Sequence, residues 1–518
     1  MKINVDQNIL YKELPSQFAD FLGINYTSTV TKKHKKEEGQ FFTPQEIANF
    51  MGKIAYKTNS KNISILDPGC GTAILTCALI ENLISNQIES IDLIAYETDY
   101  ELLPYTEQSL QYLKKWLKNK NIIFKYTLFT SDFIEDIANT LDKEIESFDY
   151  IISNPPYFKL SKDDKRVKLL DHLVKGQPNI YSLFMAVSVN LLKKNGELIF
   201  IVPRSFASGQ YFNSFRDYLF SNVNLNFVHL FKSRSETFDR DKVLQETLIL
   251  KCSKDENKKV IISTSEGIKD LNSSKVKTYD LIDIIDLNSN AKILHLPTTN
   301  YEEKVIELFK SWNNNLKNFG IQISTGPVVS FRIKEHLFEI YQNSTVFLAP
   351  LFWLNNVTKM NIEWPKFIAN KSQYINIIDK TKSVLLPNKN YVFLRRFSSK
   401  DDKSRLIASP YFSKFSKTKY IGVENKLNYI YKIDGELEIN EAYGIAALLN
   451  SKIYDTYFRT FNGNVNVSAT EIRLMTFPDI ETVREIGNYI NSQNDFSEEL
   501  INEYINNLFL NNFELVNG

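Results

Sequence analysis

Cysteine is scarce. The chain of 518 residues holds three, Cys70, Cys77 and Cys252. An odd number with no metal-ligand spacing argues against a disulfide framework and for reduced thiols in a cytoplasm. No run of about eighteen apolar residues occurs, so no membrane-spanning helix is expected. The opening stretch MKINVDQNILYKELPSQFAD lacks the apolar centre of a secretion signal. Net charge is nearly absent as well: 62 Lys and Arg oppose 61 Asp and Glu. The overall charge therefore names no partner. Internal repeats and long low-complexity tracts are also missing. What is present is a globular composition, 43% hydrophobic and 13% aromatic, in a chain too long for one ordinary core. Two domains are expected.

The first half alternates short apolar runs with helical patterns. ISILD (63–67), IDLIAYE (91–97), NIIFKYT (121–127) and FDYIIS (148–153) read as buried strands. ILTCALIENLI after PGCGTA reads as a helix, as does YSLFMAVSVNLLKK (181–194), which Asn195-Gly196 ends before the strand ELIFIVP. Such alternation predicts an α/β fold, a mostly parallel sheet with helices on both faces. The pattern fades near residue 290. We expect an N-terminal arm over 1–34, with KKHKKEE (32–38) as a solvated charge run, a first domain over 35–290 and a second, α+β domain over 300–518.

The second half carries the charge asymmetry that the whole chain conceals. Between 351 and 420 there are fourteen Lys and Arg against four acids, an excess of ten. Arg395, Arg396, Lys400, Lys403 and Arg405 sit among Tyr391, Phe393, Phe397 and Tyr411. A plain solvated face would account for the charge, but basic residues interleaved with aromatics suit a polyanion surface better.

Chemistry concentrates at four strand ends. DPGCGTA (67–73) is a glycine-rich strand-to-helix turn that lets backbone approach a ligand. Glu97 ends the next strand, where a carboxylate can accept both hydroxyls of a ribose. The third glycine of a dinucleotide fingerprint is absent, and so is the Gly-Lys-Ser/Thr of a P-loop. A nucleoside without a pyrophosphate therefore fits better than NAD. Asp132 and Phe133 follow the third strand as an acceptor and an apolar wall for an adenine. SNPPYF (153–158) closes the fourth strand. Pro155 and Pro156 fix the turn and donate no N–H. The Asn154 side chain and the Pro155 carbonyl offer adjacent acceptors that match an amino group's two hydrogens. Tyr157 offers a ring on which a planar base can stack.

The order GQFFTP (39–44), DPGCGTA, YETD (96–99), SDF (131–133), NPPY (154–157) and FDRDKVLQETLIL (238–250) resembles the gamma class of N6-adenine DNA methyltransferases, most of them from restriction–modification systems. The resemblance covers roughly residues 35–250 by motif. It extends more loosely to VFLRRFSSKDDKSR (392–405) and NGNVNVSATEIRLMTFP (462–478). It implies a Rossmann-like domain binding S-adenosylmethionine, no metal, and a C-terminal target-recognition domain. In this chain Thr43 and Pro44 would line the methionine end of the cofactor, and Asp67, Gly69 and Gly71 the floor of its pocket. Glu97 would hold the ribose, and Asp132 and Phe133 the adenine. Asn154, Pro155, Pro156 and Tyr157 would hold a flipped target adenine, with Phe238 on its other face and Phe231 near enough to compete. Ala73 stands where many members have glycine. Double-stranded DNA would be contacted through the basic residues named above and through Asn464 or Asn466. The class further implies a monomer on DNA and a cognate restriction endonuclease acting separately, since the roughly 30 residues before the motifs are fewer than a nuclease domain needs. Two rival readings remain: transfer to an RNA or protein amide nitrogen, and a catalytically silent DNA-binding specificity subunit. The first does not account for the FTP segment and the large basic half. The second does not account for the intact Asp67, Glu97, Asn154 and Tyr157.

Overall fold

The computed structural model describes residues 13–511 apart from 57, 85–86, 139–146, 177, 233–245, 341–346, 399–400 and 494–495. Two compact units divide the chain, 1–298 and 299–518. Among the described residues no helix is long and apolar enough to cross a membrane.

The first unit is built on nine strands: β1 (Asn62–Asp67), β2 (Ser90–Tyr96), β3 (Ile123–Phe129), β4 (Phe148–Ser153), β5 (Leu192–Pro203), β6 (Asn224–Phe231), β7 (Thr247–Ser253), β8 (Lys259–Ser265) and β9 (Lys275–Asp280). Their order is β3-β2-β1-β4-β5-β7-β6-β8-β9. The stretch from β3 to β5 is parallel. β7 then inserts antiparallel between β5 and β6. Strands buried on both faces read as continuous apolar runs, and alternate residues serve opposite cores. Leu66, Ile151, Leu198, Phe200 and Val202 join one core with the helix Ile180–Leu191. Ile65, Tyr150, Ile152, Ile199 and Ile201 join the other with the helix Ile74–Leu83. The expected mostly parallel sheet with helices on both faces is what the chain forms. β6 and β7, with the antiparallel crossing between them, were not legible because the periodicity of a strand carries no direction.

Two local expectations change. The helix over 181–194 ends at Leu191, and Asn195-Gly196 lies inside β5 rather than before it. Phe148 pairs with Leu192 but Tyr150 with Glu197, so the intervening residues bulge out. A side chain on Gly196 would sit 2.9 Å from the carbonyl oxygens of both Lys193 and Phe148. Residues 13–34 do not form a free arm. The helix Pro15–Thr29 buries Phe18, Leu22 and Tyr26, and Ser16 donates from its amide (2.6 Å) and its hydroxyl (2.8 Å) to Glu81. KKHKKEE is a short helix, Lys32–Glu38, ended by Gly39 in the left-handed conformation (φ 64°).

The second unit is α+β. A four-stranded antiparallel sheet runs Ile321–Thr325, Leu427–Lys432, Tyr391–Arg395, Ala408–Tyr411, and a five-stranded sheet includes Leu348–Phe352, Tyr374–Asn376 and Tyr420–Val423. The helices Ile439–Asn450 and Ile480–Ser492 cross at two glycines. A Cβ on Gly444 would lie 2.0 Å from the Val483 carbonyl oxygen, and one on Gly487 1.8 Å from that of Asn440. Small residues are what let the two backbones touch.

This unit also corrects part of the basic surface. Arg405 is 1% exposed. It donates to the Ser398 hydroxyl (2.9 Å), the Asn462 side chain (2.9 Å) and the Asn464 carbonyl (2.5 Å), stapling three segments together. A buried guanidinium keeps its charge only with its donors satisfied, so Arg405 is a structural residue and not a DNA contact.

Two stability outcomes are expected. Gly487→Ala should destabilise the second unit by about 1–3 kcal/mol, the range for forcing a methyl into a packed contact. Denaturant unfolding followed by tryptophan fluorescence reads this directly; an unchanged midpoint would mean the helices part freely. Arg405→Ala should lower stability in the same assay, since it removes three hydrogen bonds of a buried guanidinium that join these segments.

Candidate active site

β1 and β4 are neighbours, yet the chain leaves β1 toward β2 on one side and reaches β5 from β4 on the other. This is the switch point of the sheet, where a crevice opens beyond the carboxyl ends of the strands. DPGCGTA leaves β1 there and NPPY leaves β4 there. A cleft with about 1030 Å³ of empty space, counted with its open mouth, occupies the place. Gly69, Gly71, Glu97, Asp132, Phe133, Asn154, Pro156 and Thr43 line it.

Glu97 ties the first two strand ends together. One carboxylate oxygen accepts from the Gly71 amide (3.0 Å) and the other from the Asp99 amide (2.8 Å). Gly71 reaches that bond with a left-handed φ of 56°, and Ala73 follows at 62°. Alanine therefore does occupy a glycine-favouring conformation, but with no side chain beyond Cβ. Asp67 is fully buried. Its Oδ2 accepts from the Thr76 hydroxyl (2.8 Å), while Oδ1 has no partner among the described residues. Burial pushes both carboxyls up, each to about 7; the hydrogen bonds from Thr76 and Gly69 to Asp67, and from Asp99 and Gly71 to Glu97, only partly oppose it.

The segment 38–43 forms a further wall, and Asn154 fixes it. The Asn154 amide donates to the Phe41 carbonyl (2.8 Å) and to the Thr43 hydroxyl (3.0 Å). With both hydrogens committed, its Oδ1 is left as an acceptor, met at 2.5 Å by the Tyr157 hydroxyl, which also lies 2.9 Å from the Ile201 carbonyl. The Phe41 ring stacks on Tyr157 at 5.5 Å and 24°. Gly39 permits this approach: a Cβ there would lie 2.8 Å from Phe158 and 3.2 Å from Pro156. The far end of the segment is held by Asp99, 5% exposed. Its Oδ2 accepts from Tyr26, from Gln40 (2.6 Å) and from His34 (2.9 Å). Burial pushes the Asp99 carboxyl up, but these three donors outweigh it and hold it below its ordinary value. The bond to Asp99 in turn raises His34.

Other sequence-predicted residues take less direct places. Pro44 is buried and starts the helix Gln45–Lys53. Asp132 caps the helix Phe133–Ala138, accepting from the Ile134 (2.9 Å) and Glu135 (3.1 Å) amides, and pairs with Arg166 at 3.3 Å. Phe133 is 1% exposed, edge-on to Tyr96 and packed on Phe184. Phe231 is 3% exposed inside the core, edge-on to His229, and cannot stack on a base. Phe238 lies outside the described residues, as does Lys400. In the second unit Arg395 is half-buried and donates to the Val357 carbonyl (2.7 Å), and Arg396 donates to that of Asn425 (3.0 Å). Lys403 is exposed and pairs with Glu498 at 3.3 Å. Asn466 is exposed and Asn464 half-buried, on a segment that pairs with Phe397. Sequence reasoning missed Gln40, Phe41, Asp99, Phe158 and Arg166. The double aromatic ahead of Thr43 and the second acid of YETD were the available signals. Among the described residues no group of three or more His, Cys, Asp or Glu could hold a metal ion.

Comparison with known proteins identifies the family. The profile of the Eco57I restriction-modification methylase family matches residues 74–238. Type II methyltransferase M.BsuBI of Bacillus subtilis is 37% identical over 469 residues, covering 88% of this chain and 91% of the relative. Type II methyltransferase M.PstI of Providencia stuartii is 31% identical over 483 residues, covering 92% and 94%. Among solved structures, the type IIL restriction-modification enzyme MmeI in complex with DNA superposes with a TM-score of 0.49 at 14% identity, over 96% of this chain and 72% of that one. With two relatives matched over nearly their whole length, the chain belongs to the type II methyltransferases, the DNA-methylating enzymes of restriction–modification systems.

Proposed function

We propose that the chain transfers a methyl group from S-adenosylmethionine to N6 of one adenine in a short duplex DNA sequence, after that base is flipped from the helix, and so protects the DNA from a cognate restriction endonuclease. The observation that carries this reading is the Asn154 amide. Both of its hydrogens are bonded to the 41–43 segment, so its oxygen can only accept, and in the free chain the Tyr157 hydroxyl donates to it, a bond that a substrate amine would replace. Beside that oxygen, the carbonyl of Pro155, itself a buried residue, would be the second acceptor on a turn that two prolines stiffen. Paired acceptors fit the two hydrogens of an exocyclic amine and draw its lone pair out of conjugation with the ring. A base that took the place of Phe41 on the Tyr157 ring would gain stacking worth about 1–3 kcal/mol, which offsets much of the few kcal/mol that flipping costs. The DNA itself would be held by the basic segment of the second unit, with Arg395, Arg396, Lys400, Lys403, Asn464 and Asn466 as candidate contacts. Phosphates would set position, and base edges would set specificity.

The cleft fits the cofactor on two counts. Glu97 and Asp67 are carboxyls that burial has pushed up to about 7, and Asp67 Oδ1 is buried with no partner among the described residues. Both favour a cationic ligand. Glu97, Gly69, Gly71, Asp132, Phe133 and Thr43 would hold S-adenosylmethionine, with Asp67 beneath them and Pro44 anchoring the wall. When bound it supplies an electrophilic methyl on a sulfonium. The chain contributes position, the acceptors on the amine and exclusion of water.

Two outcomes are expected. Asn154→Ala should keep DNA binding but lose about 10²-fold or more in kcat, the loss expected when one positioned polar group is removed, and it should also weaken S-adenosylmethionine binding because the bonds to Phe41 and Thr43 go with it. Methyl transfer to a plasmid with sequencing of the modified bases tests this, and full turnover would refute it. The second concerns pH. Carboxyls raised from 3.8 and 4.5 to about 7 favour the folded free chain below their unfolded values and erode its stability as pH rises through about 7. A cation lowers them again, so its binding must release protons below pH 7. Affinity for S-adenosylmethionine should therefore rise by up to roughly tenfold per carboxyl between pH 6 and 8. Calorimetry with a flat profile would remove Asp67 and Glu97 from that role.

A further inference from the structure

The second unit contains a pocket with about 700 Å³ of empty space, counted with its open mouth, lined by Trp353, Leu354, Lys371, Phe397, Glu424 and Lys426. Its chemistry is unlike that of the surrounding basic surface. Glu424 is 2% exposed, and the Lys426 amide, at 2.9 Å, is the one hydrogen-bond donor to its carboxylate among the described residues. Lys371, Lys426 and Arg396 are near enough to oppose the upward push that burial gives this carboxyl, but none of them closes an ion pair with it. Lys371 instead lies over the Trp353 ring at 4.2 Å and Arg396 over Phe397 at 5.6 Å. The turn that carries Glu424 is fixed. Its amide donates to the Phe352 carbonyl (3.0 Å), the next amide to Val328 (2.9 Å), and only a glycine fits at 326, where a Cβ would sit 2.4 Å from the Glu424 carbonyl oxygen. The segment 396–398 that brings Phe397 to the rim pairs with 465–467, the strip that carries Asn466.

A carboxylate held at a fixed turn within a ring of cations has a definite selectivity. The cations attract a polyanion, while the carboxylate repels phosphate and accepts only from a donor. On the base edges of duplex DNA the donors of the major groove are the amino groups of cytosine N4 and adenine N6; guanine O6 and thymine O4 at the same place are acceptors. We propose that Glu424 is a specificity-determining residue, whose carboxylate accepts a hydrogen bond from the exocyclic amino group of one non-target base in the recognition sequence, with Trp353 and Phe397 as the apolar walls of that subsite. The inference rests on the duplex-DNA reading above and deepens it by naming the residue and the base chemistry of one recognition position.

The test uses the full chain, S-adenosylmethionine and a library of duplexes randomised around the methylated site, with each methylated sequence read out. Glu424→Gln keeps the side chain's size and adds an N–H donor, so it should admit guanine or thymine where the parent demands an amino-bearing base. Discrimination at that one position should fall by about tenfold or more, with the others unchanged. In parallel, each adenine or cytosine of the parent's site outside the target is replaced by its amine-free analogue, purine or 2-pyrimidinone. One position should cost the parent about tenfold in kcat/KM and cost Glu424→Gln nothing further. If the variant does not fold, the analogue scan on the parent still decides: insensitivity at every non-target position overturns the proposal. Identical sequence preference in parent and variant overturns it too. A parent that methylates no duplex DNA fails differently, since that removes the reading beneath the proposal.

Discussion

Glu97 is the constraint around which the cleft is arranged. One carboxylate spans two backbone amides, Gly71 from the turn after β1 and Asp99 from the turn after β2. It thereby fixes the ends of two parallel strands with respect to each other. Because it is buried, its charge is costly in the free chain, and the same burial makes its bonds strong where it is ionised. Asp99 passes the constraint on. Its own amide is held by Glu97, and its side chain receives Tyr26, His34 and Gln40. The N-terminal helix and the segment 38–43 are thus tied to the strand ends through two acids that only Thr98 separates.

Asn154 closes the same wall from the opposite side. A side-chain amide can serve as a positioned acceptor only when its two hydrogens are spent elsewhere, and here they go to Phe41 and Thr43. FTP and NPPY, about 110 residues apart in sequence, are therefore one structural unit. The link explains why the two motifs would travel together: the second cannot be oriented without the first. Gly39 contributes by absence, since any side chain there would meet Phe158 and Pro156.

The second unit shows that basic composition and basic surface differ. The excess of ten positive charges over 351–420 is partly spent inside. Arg405 is a buried staple, Arg395 is half-buried on the Val357 carbonyl, and Lys371 lies on Trp353. Guanidinium groups satisfy several carbonyls at once from a fixed fork, which suits them to joining irregular segments in a unit with short strands.

The sequence by itself determined the elements whose information is local. The buried runs of β1, β2 and β4, the glycine turn after β1, the proline turn after β4 and the order of motifs were readable because each depends on a few adjacent residues. Strand bounds held to within one or two positions except at β5, where the Asn195-Gly196 bulge looked like a helix end. Tertiary structure alone decided what depends on partners far along the chain. The antiparallel insertion of β7, the clasp of His34, Gln40 and Tyr26 on Asp99, the burial of Phe231 and Arg405, and the enclosure of Glu424 all depend on contacts that no local period encodes. A charged or aromatic side chain has the same letter at a surface or in a core, and only the set of groups that folding brings within hydrogen-bonding distance determines which it becomes.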